Sequence, residues 1–505
     1  MKINEGKQLK IGAILSYFSI ALNLVAGLLY TPWMVAQIGK ADYGLYTLAN
    51  SLISLFLVDF GLSTATSRYV SKYRAENNQE KVNNFLGVIY KLYLIIDAVI
   101  FAAFIVVFFF LGSIYKNLTP DEIERFKIVF LLSASSAVVH FPFVTFNGIL
   151  TSYEKFIQLK LADVIYRVLL VGLTVAALLA GYGLYALVAV HSIAGLAIIV
   201  YKYIVIKSTT PIRVNFHYSD KALYKSIFSF SFWATIAALA QRLIFNITPT
   251  ILGVVTNSDS IAVFGVITTI EGYVFTISTA INGMFLPRIS KISIGEDKEK
   301  NVSELLLKVG KFQYIINGAI VAVFAVVGKR FIQLWMGSDY TDAYTGIMLV
   351  IIPGLFYNAL QIAHTTLIVE KKVKIQAYVN LGMGLVNVIL SFWLSWRVGV
   401  LGACISIFIA YTLRLVLLLV IYQKNLRLNI KLFIRECYCR MSIPVIISIV
   451  FGLFINQWVA DGGWVNFVCK GFAVGLVYIL SACFIGLSKM DRKQILGMLA
   501  RPKSN

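Results

Sequence analysis

Ionisable residues interrupt several long apolar runs of this sequence. Asp59, Asp97, Arg242 and Glu271 each lie in a stretch of about twenty mostly apolar residues, the length of a membrane-spanning helix. A charged side chain at the centre of such a helix costs roughly 2.5–3.5 kcal/mol, so it faces a helix-bundle interior or a water-filled cavity. The chemistry that these positions predict is therefore the binding and movement of charged species across a membrane.

The spacing of these residues leaves alternatives open. Asp163 and Arg167 are four residues apart with the acid first, which predicts a structural ion pair on one helix. Arg242 and Glu271 fall near the middle of adjacent predicted helices, where they pair with each other or face a cavity. Asp59 either caps local backbone at the inner rim or is a buried ion-coupling site.

Four basic residues form two pairs whose members occupy equivalent positions of an internal sequence repeat. A shift of 220 positions places Arg68 on Arg288 and Lys91 on Lys311, at the inner ends of predicted spans. The same shift places Asp97 opposite Asn317. Basic residues accumulate at inner ends in most membrane proteins. Their symmetry also fits a cationic cytoplasmic mouth that attracts an anionic headgroup.

The composition predicts an all-α integral membrane protein. Of 505 residues, 59% are hydrophobic and only 14% charged, against about 25% charged in soluble domains, and the mean hydropathy is +0.80. With the N-terminus inside, about 34 of the 45 Lys and Arg fall in inner segments, so both termini are expected in the cytoplasm. About fourteen spans are predicted by apolar length: 11–32, 44–66, 88–111, 127–150, 161–181, 184–206, 227–255, 260–283, 311–329, 345–369, 376–396, 400–422, 441–460 and 465–488.

The repeat predicts the domain organisation. A second shift, of 216 residues, places the Glu-Lys pair at 154–155 on the pair at 370–371. We therefore expect two six-helix lobes in parallel orientation, residues 1–210 and 211–425, followed by a two-helix extension and tail at 426–505. A two-lobed bundle of this kind places its polar site between the lobes, as transporters do.

Several chemistries lack their sequence signals. No Gly-x-x-x-x-Gly-Lys-Ser/Thr loop is present, so no ATP use and no cofactor are expected. The four histidines show no metal-ligand spacing, and the basic residues form no nucleic-acid-binding stripe. The longest predicted external loops, 112–126 and 330–344, are short for a membrane enzyme with external catalytic residues, so an enzyme is not expected.

One segment adds a family resemblance. The sequence GKADYGLYTLANSLISLFLVDFGLSTATSRYVSKYRAENN, from Gly39 onward, resembles the start of polysaccharide transporters, the Wzx-type flippases of the MOP superfamily. The matching positions are Gly39, Tyr43, Gly44, Tyr46, Leu48, Asp59, Gly61, Leu62, Arg68, Tyr69 and Ser71. The resemblance implies a MOP/MATE-like fold in the bacterial cytoplasmic (inner) membrane. It also implies a non-enzymatic, alternating-access flippase for undecaprenyl-diphosphate-linked oligosaccharides of O-antigen, capsule or related polymers.

Site roles are predicted from the charged positions above, given the anionic substrate that the resemblance implies. Arg242 is assigned to the diphosphate headgroup, and Arg68, Arg288, Lys91 and Lys311 to headgroup capture. Glu271, Asp59 and Asp97 are the candidates for ion coupling. The expected partners are the lipid-linked substrate, membrane lipids, a polysaccharide polymerase and chain-length proteins. The alternatives are a cation-coupled multidrug exporter, a lipid II flippase, and a multi-span polymerase or ligase.

Overall fold

The computed structural model describes residues 5–280, 285–293, 295, 297–370, 372–459, 462–488 and 492. This part of the chain is helical and contains no β-strand. Its α-helices are α1 Glu5–Ile38, α2 Lys40–Phe56, α3 Leu62–Ala75, α4 Gln79–Ile114, α5 Pro120–His140, α6 Thr145–Ser152, α7 Phe156–Leu179, α8 Leu184–Thr209, α9 Lys221–Arg242, α10 Thr248–Val255, α11 Ser258–Thr279, α12 Leu286–Ile292, α13 Lys298–Met336, α14 Ala343–Asn358, α15 Gln361–Val369, α16 Val373–Leu426, α17 Ile430–Phe433, α18 Arg440–Trp458 and α19 Trp464–Ser481.

Polar side chains set where several helices begin. Thr119 and Glu122 form a reciprocal capping box at the start of α5, where Pro120 takes a position that needs no backbone donor. Asn78 accepts a hydrogen bond from the backbone N–H of Lys81 at 2.9 Å and caps α4. These caps satisfy backbone groups that the helices themselves leave unpaired.

The described helices make the protein a multi-pass membrane protein. Ten of them are long and apolar enough to span a membrane, or eleven if α14 and α15, bent by 56°, form one span. Large apolar side chains such as Phe109 and Val465 are exposed, as on a lipid-facing surface.

The predicted count of fourteen is not confirmed. Helix α16 contains two predicted spans, 376–396 and 400–422, which meet at Gly399 with φ 59°. Helix α2 has only 17 residues, because it ends at Phe56 inside a predicted span.

The chain divides into two compact units, Met1–Gly265 and Val266–Asn505. In the first unit, α1 packs against α7, α2 against α5, and α3 against α6. In the second unit, α13 packs against α14, α18 and α19, and α14 packs against α16. The division falls later than the predicted lobe boundary at 210, and the six-helix repeat stays a prediction.

Candidate functional site

A break in the helical backbone interrupts the second predicted span at residues 57–61. Helix α2 ends at Phe56, with Leu57 as its C-cap residue. Helix α3 starts at Leu62, with Gly61 as its N-cap residue. Phe60 and Gly61 have φ values of 51° and 67°, so the chain turns through two consecutive left-handed residues. Non-helical backbone at membrane depth requires protein partners for its free N–H and C=O groups. The 57–61 break is therefore where polar side chains are needed.

Asp59 lies in this break and binds two elements. Its Oδ2 accepts the backbone N–H of Ser63 at 3.3 Å, in the first turn of α3. Its Oδ1 accepts a hydrogen bond from the hydroxyl of Tyr93, which is fully buried on α4. A carboxylate at a helix N-terminus also interacts favourably with the helix dipole. Asp59 thus fixes the start of α3, which agrees with its predicted capping role and leaves its role in ion coupling a prediction.

Arg242 reaches the other side of the same break. It is half-buried at the last position of α9, and its Nη2 donates to the backbone oxygen of Leu57 at 2.7 Å. That oxygen belongs to the C-terminal end of α2, where a positive charge is favourable. Arg242 and Asp59 therefore stabilise two opposed helix ends, and they do not form an ion pair with each other.

A second break, at residues 243–247, follows Arg242 directly. The side-chain amide of Asn246 in this break donates to Ser54 at 2.8 Å, and Ser51 donates to the backbone oxygen of Asn246. Serines near the end of α2 therefore hold the second break in place. The two breaks lie side by side in the first unit.

Asp97 lies one helical turn beyond Tyr93 on α4. It is buried, and its Oδ1 has no hydrogen-bond partner in the described part of the chain. Residues i and i+4 share a helix face, so Asp97 lies on the same face of α4 as Tyr93, which in turn binds Asp59. Two of the three candidates for ion coupling thus neighbour the same tyrosine of α4, and their role in coupling stays a prediction.

Glu271 lies in the second unit on α11. Its side chain is half-buried, and it makes no hydrogen bond or ion pair with any described residue. Its predicted relation to Arg242 stays a prediction. A carboxylate in a spanning helix that no described residue pairs is a candidate for ion binding.

The four basic residues of the predicted mouth lie in different environments. Arg68 on α3 and Arg288 on α12 are exposed. Lys91 is half-buried and donates to the backbone oxygen of Tyr218 at 3.1 Å, whereas Lys311 is buried. Only the two arginines are therefore accessible enough for the predicted capture role.

The predicted ion pair between Asp163 and Arg167 is not formed. Asp163 pairs instead with Lys160 at 3.1 Å, three residues earlier on α7. Arg167 points to α1, where its Nη2 donates to the backbone oxygen of Asn23 at 3.3 Å. A residue three positions before an acid and one four positions after it can both reach it on a helix, and here the acid pairs with the earlier one while Arg167 contacts α1.

A cavity of about 430 Å³ inside the first unit was not predicted. His191 bridges two tyrosines within it, Tyr46 at 2.7 Å and Tyr166 at 3.1 Å. His140 binds Ser136 at 3.0 Å through Nδ1, while its buried Nε2 has no partner among the described residues. Neither histidine stands out in the sequence, because the histidines lack metal-ligand spacing. Within the described residues, no three His, Cys, Asp or Glu side chains group as a metal site.

Comparisons with known proteins agree with this architecture. The model of a family described as "Polysaccharide biosynthesis protein" matches residues 10–293. The Shigella flexneri protein named "Putative O-antigen transporter" is 22% identical over 421 residues, which cover 82% of this chain and 97% of that protein.

Two solved structures show the same fold. The lipid II flippase MurJ in an inward closed conformation has a TM-score of 0.75 at 16% identity, covering 96% of this chain and 99% of its own. An inward-facing multidrug resistance MATE family transporter of the MOP superfamily has a TM-score of 0.66 at 13% identity, covering 81% of this chain and 94% of its own. The predicted MOP-like fold is confirmed.

Proposed function

Because the chain belongs to the polysaccharide biosynthesis protein family, we propose that it is a flippase for polyprenyl-diphosphate-linked oligosaccharides. It moves these units across the bacterial cytoplasmic membrane by alternating access, with both termini in the cytoplasm. The sugars supply O-antigen, capsule or another surface polymer. A polymerase and chain-length proteins would use the delivered units.

The observation that carries this proposal is the 57–61 break. It places a guanidinium and a carboxylate inside an apolar unit, at backbone that does not continue as a helix. Discontinuous helices are where transporters bind charged groups, because their ends supply directed N–H and C=O groups. A diphosphate requires a cationic group at this depth, while a polyprenyl tail stays in lipid.

Arg242 is the residue proposed to bind the headgroup. A guanidinium has five N–H donors, and Arg242 uses one described hydrogen bond, to Leu57. Because the side chain is half-buried, donors remain accessible for a phosphate, which arginine binds in a bidentate manner. Substrate binding at Arg242 would thus act directly on the end of α2.

The test replaces Arg242 with Ala and, separately, with Lys. We expect Arg242→Ala to abolish surface polymer while the protein remains abundant in the membrane. Arg242→Lys keeps the charge but loses the bidentate geometry, so we expect a partial loss of polymer. The matched control is Arg397→Ala, which removes an exposed arginine from α16. Wild-type polymer levels in Arg242→Ala would refute the assignment.

Arg68 and Arg288 are proposed to capture the anionic headgroup, since both are exposed and related by the predicted repeat. Exposed charges mainly raise the rate of encounter. We expect Arg68→Ala/Arg288→Ala to slow flipping in proteoliposomes at low ionic strength and to have less effect at high ionic strength. Lys91 and Lys311 are more buried, so we expect their main effects on folding.

Glu271 is proposed as the ion-coupling residue, with Asp59 and Asp97 as second candidates. The sequence has no nucleotide-binding loop, so an ion gradient or removal of the product must drive net transport. We expect Glu271→Gln to flip substrate without dependence on a proton gradient. Asp163→Asn is the control, because Asp163 forms a partly exposed ion pair with Lys160. Flipping by Glu271→Gln that still requires the gradient would rule out this role.

A further inference from the structure

A buried arginine without a carboxylate partner lies inside the second unit. Arg414 is on α16 and is only 3% exposed. Every ion pair in the described part of this unit uses other cations, such as Lys298 and Lys372 with Glu370. Removing a guanidinium from water without a nearby negative charge costs several kcal/mol. The positive charge of Arg414 therefore requires another source of compensation.

Tyrosines supply only part of it. The Nη2 of Arg414 donates to the hydroxyl of Tyr357 at 2.6 Å, and its guanidinium carbon is 4.3 Å from the centre of that ring. The ring of Tyr411, one turn earlier on α16, is 5.4 Å away, and its side chain also hydrogen-bonds to Arg414. Cation–π contacts offset only part of the cost of burying a cation. These contacts leave the net charge unchanged.

Two hydrogen-bond donors in this region remain unpaired. The Nε of Arg414 and the hydroxyl of Tyr422 are buried and have no partner among the described residues. Tyr422 lies eight residues, just over two helical turns, after Arg414 on α16, and the two groups interact electrostatically. His364, on α15, is also within electrostatic range of Arg414. The region thus offers buried donors next to a fixed positive charge.

We propose that the second unit binds a small monovalent anion of the halide class at Arg414, with the Tyr422 hydroxyl as a second donor. An anion accepts both hydrogen bonds and also neutralises the guanidinium. A water molecule would accept the same hydrogen bonds but would leave the charge uncompensated. The near-complete burial of Arg414 and Tyr422 favours a halide over a phosphate-sized anion. This site is independent of the substrate that the protein carries.

The test measures thermal unfolding of the purified full-length protein in detergent. Sodium chloride replaces sodium gluconate stepwise at constant sodium concentration and ionic strength. We expect the unfolding midpoint to rise with chloride until it saturates. Arg414→Gln should lose this dependence, whereas Arg397→Gln, which removes an exposed charge from the same helix, should keep it. Tyr422→Phe should raise the half-saturating chloride concentration about tenfold, the effect of one lost hydrogen bond to a charged group.

Binding of radioactive chloride gives a second, direct readout. We expect one chloride to bind per wild-type chain and chloride to bind more weakly to Tyr422→Phe. This comparison tests the proposed site even if Arg414→Gln does not fold. The proposal is overturned if chloride and gluconate stabilise the wild type equally. It is also overturned if no chloride binds, or if Tyr422→Phe binds it as tightly as the wild type.

Discussion

Asp97 in the first unit and Asn317 in the second are equivalent positions of the predicted repeat, yet their surroundings differ. Asp97 is buried, and one of its carboxylate oxygens has no partner among the residues that the structure describes. Asn317 is also buried, but Ser278 and Asn358 both donate to its Oδ1, and its Nδ2 donates to the backbone oxygen of Gln313 at 2.8 Å. The first unit thus holds a group that can change charge, while the second holds a neutral group whose hydrogen bonds are satisfied. We therefore expect substitutions at the two positions to have different effects.

The largest expected effect belongs to Asn317. In Asn317→Ala, the buried donors of Ser278 and Asn358 lose an acceptor, so we expect a loss of roughly 2–3 kcal/mol in unfolding free energy. Asn317→Asp should also destabilise the protein, because a carboxylate oxygen would then face the backbone oxygen of Gln313. Thermal unfolding of purified protein measures both. An unchanged midpoint in both variants would show that the hydrogen bonds of Asn317 do not contribute to stability.

Asp97→Asn should have a smaller effect, and of opposite sign. The change removes a buried acidic group whose Oδ1 lacks a partner, so we expect stability to rise by about 1 kcal/mol. If Asp97 binds the coupled ion, flipping in proteoliposomes should fall although the protein is more stable. A parallel loss of stability and flipping would instead mean that Asp97 is structural, as Asn317 is.

The spanning helices could be predicted because long apolar runs determine them. Helices α4, α7 and α8 coincide with three of the predicted spans. Each contains an apolar run long enough to cross a membrane. The end of α2 could not be predicted in the same way. Residues 52–66 contain no proline, and the left-handed turn at Phe60 depends on partners elsewhere in the chain.

The residues of the candidate site could be predicted from the sequence, but their hydrogen-bond partners could not. The cost of buried charge identified Asp59 and Arg242, because that cost depends only on residue type and position along a span. Their contacts are to Tyr93 and to the backbone of Leu57, 34 and 185 residues away in sequence. Helical spacing rules relate residues only three or four positions apart, so they do not predict these contacts. The pairing of Asp163 failed for a related reason, since helical spacing permits two partners and tertiary packing selects one.

A second pair of repeat positions, Glu154 and Glu370, gives the smallest expected effect. Glu154 is exposed, whereas the side chain of Glu370 is only 10% exposed and binds Lys298 at 2.6 Å and Lys372 at 2.8 Å. Glu370 follows α15, outside the spanning helices. Burial alone would raise the pKa of this carboxyl, but hydrogen bonds from the two lysines outweigh it and hold the pKa below its ordinary value of 4.5.

This depressed pKa sets the sign of a pH dependence. The carboxyl binds protons less readily in the folded state, so its contribution to stability is present above about pH 4.5 and is lost as the pH falls through the lower folded value. We expect Glu370→Gln to cost about 1 kcal/mol at pH 7. Its unfolding midpoint should converge with that of the wild type on acidification below pH 4.5, and Glu154→Gln should match the wild type throughout. A difference between Glu370→Gln and the wild type that stays constant from pH 7 to pH 3 would mean that the lysine contacts do not stabilise the charged carboxylate.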